Sequence, residues 1–347
     1  MAAVAATLAV SVALAGCGSS GSGAQPTGTA APAATQTLTV YVGSPNLLFA
    51  QLWVAQGAGL FDKHGVKVNL ANPNAGAQGG AALVAGQADV LVTGIGAAMG
   101  AVKQGFPAKM VYGMANFDWR AHSLVARKGI NSIAALKALG SNCTVAGATP
   151  GTGTYGLQLH VIKDLGLNCK VLQFASLPDI LSAVVSGSAD FGLVPPGNAA
   201  TVADKVSILF DPTKATEAEG KAFFPDDVVS TGVFVSPATL ERKSEELKRF
   251  LAALSEAYRL IQTDTPDKLA ALVVKVKDAF GTVDPTSLAN TFKLQKPIFL
   301  DGDVSLAQWN AALVAFAGYG AQTVDPKSPN ESFSAVVDQG PLLASRK

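Results

Sequence analysis

The residues able to do covalent or metal chemistry are few. Three histidines (His64, His122, His160) and three cysteines (Cys17, Cys143, Cys169) are scattered through 347 residues. Their spacing makes no HExxH, no CxxC pair and no Cys/His cluster, so neither a resident metal nor any other cofactor is expected. The TPGTGTY stretch at 149–155 is rich enough in glycine to suggest a phosphate loop, but GxxxxGK[ST] lacks its lysine here. What remains is the chemistry of recognition, carried by hydroxyl, amide and backbone N–H groups at four junctions. These are Ser44-Pro45-Asn46, Thr93-Gly94-Ile95-Gly96, Thr149 to Thr154 with Tyr155 behind it, and Pro195-Pro196-Gly197-Asn198. Each follows an apolar β-like run and precedes helical spacing, the place where unpaired N–H groups face outward and ligands bind in open α/β sheets. Any one of them is equally well explained as a cap or turn, which uses the same residue types. Four at once favour a site.

A fifth group stands apart. In Phe117-Asp118-Trp119-Arg120, Asp118 offers an acceptor for N–H donors, Trp119 a stacking face and Arg120 a grip for a carboxylate or sulfonate. The alternative is an Asp–Arg pair with a packed tryptophan. Phe49 and Trp53, at i and i+4, read either as an aromatic wall or as core. The candidate ligand-binding residues are therefore Ser44, Asn46, Thr93, Gly94, Asp118, Trp119, Thr152, Gly153, Thr154, Tyr155, Pro196 and Asn198. A cleft poor in Lys and Arg but edged by aromatics suits a small organic ligand better than nitrate alone.

Alternating elements must position these groups. TLTVYVG, VKVNLA, DVLVTG and KMVYGMA read as strands separated by helical runs, and the pattern restarts with SLVAR, CTVAGA, KVLQF, ADFGLV and VSILFD. Such alternation predicts an α/β chain with two mainly parallel sheets and helices on both faces. VFVSP at 233–237 reads as a return strand, followed by mostly helical chain. Two lobes result, 37–120 plus 234–347 and 121–233, joined by crossings near 120–126 and 231–236, and two short crossings make a hinge. Cys143 and Cys169 open two β-like runs flanking a helix. In a right-handed βαβ unit both sulfurs fall at the same end of the sheet, compatible with a disulfide or with two buried thiols.

Composition narrows the function classes. With 49% hydrophobic and 15% charged residues the chain should fold, and 26 Lys and Arg against 25 Asp and Glu leave no basic stripe for nucleic acid. Residues 1–16, MAAVAATLAVSVALAG, form an apolar run shorter than the about 20 residues needed to span a bilayer core, and fit the core of an export signal peptide. The basic residues that usually open such a signal are missing. Leu14-Ala15-Gly16-Cys17 resembles the bacterial lipobox, which makes Cys17 the lipidation site. Residues 17–36 are then a flexible tether reaching roughly 25 Å.

LWVAQGAGLFDKHGVKVNL carries Ala55, Gly59, Phe61, Gly65, Val66 and Val68 in the order A-x-x-x-G-x-F-x-x-x-G-[LV]-x-V. With LVAGQADVLVTG, KQGFPAKMV, INSIAALKALG and VVSGSADFGLV it resembles the nitrate/sulfonate/taurine and thiamine-precursor (hydroxymethylpyrimidine) binding proteins of ABC importers, over roughly residues 37–280. Lys137-Ala138-Leu139-Gly140 departs from the family's Asp-Leu-Lys-Gly-Lys, and the cysteine pair is no family requirement. The resemblance implies a type II periplasmic-binding-protein fold: a two-lobed clamp, not an enzyme. It would be an exported, lipid-anchored monomer, periplasmic or at the cell surface. Its ligand would be a sulfonate, a pyrimidine or other heteroaromatic, or a related small organic solute, passed to an ABC permease and its ATPase. A sensor serving a signalling partner, and an enzyme like the thiamine-pyrimidine synthases, are the alternatives. The latter depend on a cysteine-rich cluster and a cofactor lysine, and no such cluster is present.

Overall fold

A computed structural model of the chain describes residues 37–347 apart from 73–77, 149–152, 175, 225–226, 282 and 319–323. The leader, Cys17, the tether and Thr152 lie outside the described residues. Eleven strands are present: β1 (Thr37–Val42), β2 (Lys67–Asn72), β3 (Val90–Gly94), β4 (Lys109–Phe117), β5 (Ser123–Arg127), β6 (Cys143–Gly147), β7 (Cys169–Gln173), β8 (Phe191–Val194), β9 (Val206–Phe210), β10 (Val228–Val235) and β11 (Phe299–Gly302). They form two sheets, ordered β2-β1-β3-β10-β4-β11 and β7-β6-β8-β5-β9. With helices on both faces, the chain is an α/β protein.

The sheets are mixed rather than mainly parallel, and the reason lies in the crossings. β1 to β4 run one way, as do β6 to β9 apart from the strands that bring the chain in from the other half. Those entering strands, β10 and β5, slot in antiparallel: β10 between β3 and β4, β5 between β8 and β9. Both halves therefore share one plan. The late antiparallel addition of β11 against β4 lies in a region that reads as helical by sequence, because FLDG is too short to show a period.

Each strand forms for local reasons. β1 alternates, burying Leu38, Val40 and Val42, whereas β10 is buried throughout because it sits between two neighbours. The interior of β10 contains Ser230-Thr231-Gly232, which looks like a turn in sequence. Here Ser230 Oγ donates to Ala115 O (3.1 Å) and Thr231 Oγ1 to Leu48 O (3.3 Å), so both hydroxyls are satisfied in the sheet. The return crossing consequently ends before Val228, and residues 228–233, assigned by sequence to the second lobe, pair in the first sheet.

The first crossing is Asp118 to His122, between β4 and β5; the second leads through Asp227 into β10. They are adjacent, since Val228 stands opposite Phe117. The long helix Ser244–Thr263 buries Leu247, Phe250, Leu251, Leu254 and Ile261 on one face, with Phe250 stacked on Phe61 at 5.2 Å. No helix among the described residues is long and apolar enough to cross a membrane.

Candidate functional site

Parallel pairing puts the carboxyl ends of β1 and β3 on one edge of the first sheet and those of β6 and β8 on one edge of the second. The loops leaving these ends carry the four junctions. After β1, Asn46 caps a short 3₁₀ turn, Leu47–Phe49: its Oδ1 accepts from Leu48 N (2.8 Å) and its Nδ2 donates to Ser44 Oγ (2.6 Å). The Trp53 indole donates to Asn46 O at 2.8 Å. Trp53 is wholly buried and packs edge-on to Phe280 at 5.4 Å, and Phe49 is buried too, so this aromatic pair is core.

Thr93 is buried at the end of β3, its hydroxyl so close to Gly43 that a Cβ there would stand 2.7 Å from Oγ1. Gly94, in extended conformation, precedes the helix Ile95–Lys103. In the second half, Gly153, Thr154 and Tyr155 open the helix Gly153–Asp164, and Tyr155 packs with Leu177 against a small apolar cluster. Pro196 and Asn198 lie on the short helix Pro196–Ala200.

One cavity of about 130 Å³ joins the halves. Pro45, Asn46 and Leu47 face it from the first, and Leu177, Pro178, Pro195, Gly197 and Asn198 from the second. Ala279, Phe280, Val283, Leu288 and Thr291, from the C-terminal helical region, complete it. Among the described residues the Asn198 amide makes no hydrogen bond, in contrast to that of Asn46. Thr291 Oγ1 donates to Ser287 O (2.8 Å) and stands close over Gly197, where an added Cβ would approach it to 3.3 Å. Pro196 turns to a neighbouring cavity of about 90 Å³, with Ser123, Asp211 and Thr291. The halves also touch elsewhere: the helices Ile95–Lys103 and Leu306–Gly318 lie against Gly153–Asp164, and Pro285–Gln295 against Pro196–Ala200.

Asp118 and Trp119 are not brought to this cavity. Asp118 accepts from Arg120 N (2.7 Å) and pairs with the Arg120 guanidinium, so it shapes the crossing turn. Burial nevertheless pushes its carboxyl above the usual range, against the lowering effect of Arg120. The Trp119 ring lies under the Arg120 guanidinium, 4.5 Å from its centroid, and against Gly220, where a side chain would collide with it. Both residues line a separate cavity of about 240 Å³ at the crossing, with Glu217, Lys221 and Asp227. Gln295 steadies the crossing from outside, donating to Arg120 O at 3.1 Å.

Sequence reasoning missed the C-terminal contribution to the cavity. Nothing local to Phe280, Leu288 or Thr291 says which helix face turns inward. It also missed that Gly151, Gly153 and Gly156 have GxGxxG spacing at the β6-to-helix junction. The acidic residue that a dinucleotide site needs about 20 residues further on is not there, since β7 ends at Gln173. No group of three or more His, Cys, Asp or Glu among the described residues could hold a metal. Cys143 and Cys169, opposite each other in β6 and β7, are disulfide-bonded.

The comparisons with known proteins agree with this architecture. The NMT1/THI5-like family model matches residues 46–268. The ligand-binding component of an ABC-type import system from Staphylococcus aureus, with zinc bound, superimposes with a TM-score of 0.68 at 14% identity, over 90% of this chain and 100% of that one. The alkanesulfonate-binding protein of Xanthomonas axonopodis pv. citri, bound to MOPS, gives 0.65 at 17% identity, over 88% and 100%. The periplasmic nitrate-binding protein of Synechocystis PCC 6803 gives 0.68 at 12%, over 90% and 88%. No curated protein sequence matches significantly. At these identities the structural likeness establishes the periplasmic-binding-protein fold.

Proposed function

The chain belongs to the NMT1/THI5-like family, and from that premise we propose that it is the solute-binding component of an ABC importer. It captures a small organic solute between its halves and hands it to a membrane permease with its ATPase. The observation that carries this reading is a cavity walled by Asn46 from one half and by Leu177, Pro195 and Asn198 from the other. A solute seated there bridges both halves and stabilises the closed arrangement by its differential affinity for it. The adjacent crossings at 118–122 and before Val228 supply the hinge. Capture needs no covalent step. Ser44, Thr93, Gly94, Gly153, Thr154, Tyr155 and Pro196 belong, in this reading, to the cleft edges around the cavity.

The leader and Cys17 complete the proposal: an exported monomer held to the membrane by lipid. Small-angle scattering tests the central part, using a solute found by thermal-shift screening. At about 100 times Kd such a solute adds roughly 2.7 kcal/mol. The particle is expected to contract on binding and the solute to be recovered unchanged. An identical profile with and without the bound solute, or its chemical turnover, would overturn the reading. Labelled palmitate incorporated by the wild type and not by Cys17→Ala tests the anchor.

A further inference from the structure

Resting on the reading of this cavity as the solute site, we propose that the solute is uncharged, of about benzene size, and held by the Asn198 amide. None of the thirteen described residues lining the cavity is ionisable. Two of the backbone donors beside it are committed to the protein's own side chains, and the helix start left without a side-chain cap, Pro196–Ala200, is only five residues long. Leu48 N is taken by Asn46 Oδ1, and Asp179 N, in the first turn of the helix Leu177–Ser186, is capped by Ser176 Oγ at 3.3 Å. The Asp179 carboxylate itself sits in that first turn and accepts from Ser176 Oγ at 2.6 Å, offsetting the positive helix end beside Leu177 and Pro178.

A charged solute entering this space would lose water and gain no counter-charge from the described residues that line it. A neutral one loses far less. The volume, about 130 Å³, compares with the ~150 Å³ of a cavity known to accept benzene. The wall is apolar around Leu47, Phe280, Val283 and Leu288, and the Asn198 amide supplies a donor and an acceptor side by side with no intramolecular partner. A flat or compact molecule with one polar edge matches that lining, and a carboxylate or sulfonate does not.

The test is a thermal-shift screen of fragments of five to nine heavy atoms in matched neutral and anionic pairs, benzamide with benzoate and methanesulfonamide with methanesulfonate among them. Each is run on the wild type, on Val283→Trp, which fills the cavity, and on Asn198→Ala, a mild change on a half-buried position. Neutral fragments are expected to stabilise the wild type, to lose the effect in Val283→Trp, and to bind roughly three- to tenfold more weakly to Asn198→Ala. Anionic fragments whose stabilisation is lost in Val283→Trp would overturn the proposal. So would the absence of any neutral fragment sensitive to Val283→Trp or Asn198→Ala. Scattering on the same hits separates this from the carrier reading: anionic hits that close the protein sink the charge assignment alone, and neutral hits that leave it open sink the carrier reading alone.

Discussion

At Asn46, Oδ1 and Nδ2 both have partners within three residues, while the backbone carbonyl holds Trp53. Replacing it by alanine removes an N-cap, so Asn46→Ala should cost about 1 kcal/mol in urea unfolding, whereas Asn198→Ala should stay within about 0.5 kcal/mol. His122 makes a different prediction. It is buried against Phe117, 5.3 Å between rings, and burial pushes its imidazole down to about 3. Its folded value lies below the unfolded value of about 6.5, so the unfolded chain takes up the proton first. The stability from keeping it neutral is fully present above pH 6.5 and is lost as pH falls toward 3, by up to about 1.4 kcal/mol per unit. Denaturant melts at pH 7, 6, 5 and 4 should show the wild type losing stability relative to His122→Phe. Asp118, Asp301 and Glu331, whose carboxyls burial pushes up, act with the opposite sign, and the comparison cancels them. Residue types alone could not separate Asn46 from Asn198, because a cap and a ligand contact use the same amide; the difference arises only when the chain's own N–H groups fall within reach.

Among the elements, β6 and β7 carry a cross-link that spans 26 residues of chain. The chain-entropy account gives about 3.5 kcal/mol for closing such a loop, so Cys143→Ser with Cys169→Ser should lower the unfolding free energy by about that amount. A free-thiol assay on the denatured, unreduced protein that finds both cysteines reactive would contradict the link itself. The βαβ reading of this segment was legible because periodicity and turn residues agreed. So were the glycines of the family signature: Gly59 and Gly65 both have left-handed φ, 68° and 69°, ending helical turns where other side chains would be strained. β10 and β11 were less legible. The interior of β10, Ser230-Thr231-Gly232, is polar and small, and bonds from its hydroxyls to carbonyls of neighbouring elements help make a buried strand of it; β11 is four residues long.

Over the whole molecule, the division of the strands into two sheets could be read from the order of elements, since alternation and a return strand leave few topologies. The interior of the cleft could not, because its far wall is built from helices some eighty residues beyond the last junction. The mixed character of the sheets has the same origin, as strand direction is fixed by where the chain re-enters. The crossing also gives the molecule a gauge of its own state. Of its three tryptophans, Trp53 and Trp309 are wholly buried in the first half, their indoles bonded to Asn46 O and Glu331 O. Trp119 alone lies on the crossing, wedged between Arg120 and the helix Glu217–Phe223 of the other half, with its buried Nε1 unbonded. Emission from the native protein should therefore shift in wavelength or intensity when solute is added, and the shift should vanish in Trp119→Phe while calorimetry still registers the heat of uptake. On the proposed reading, the wild-type sequence carries its own optical readout of solute capture, needing no dye.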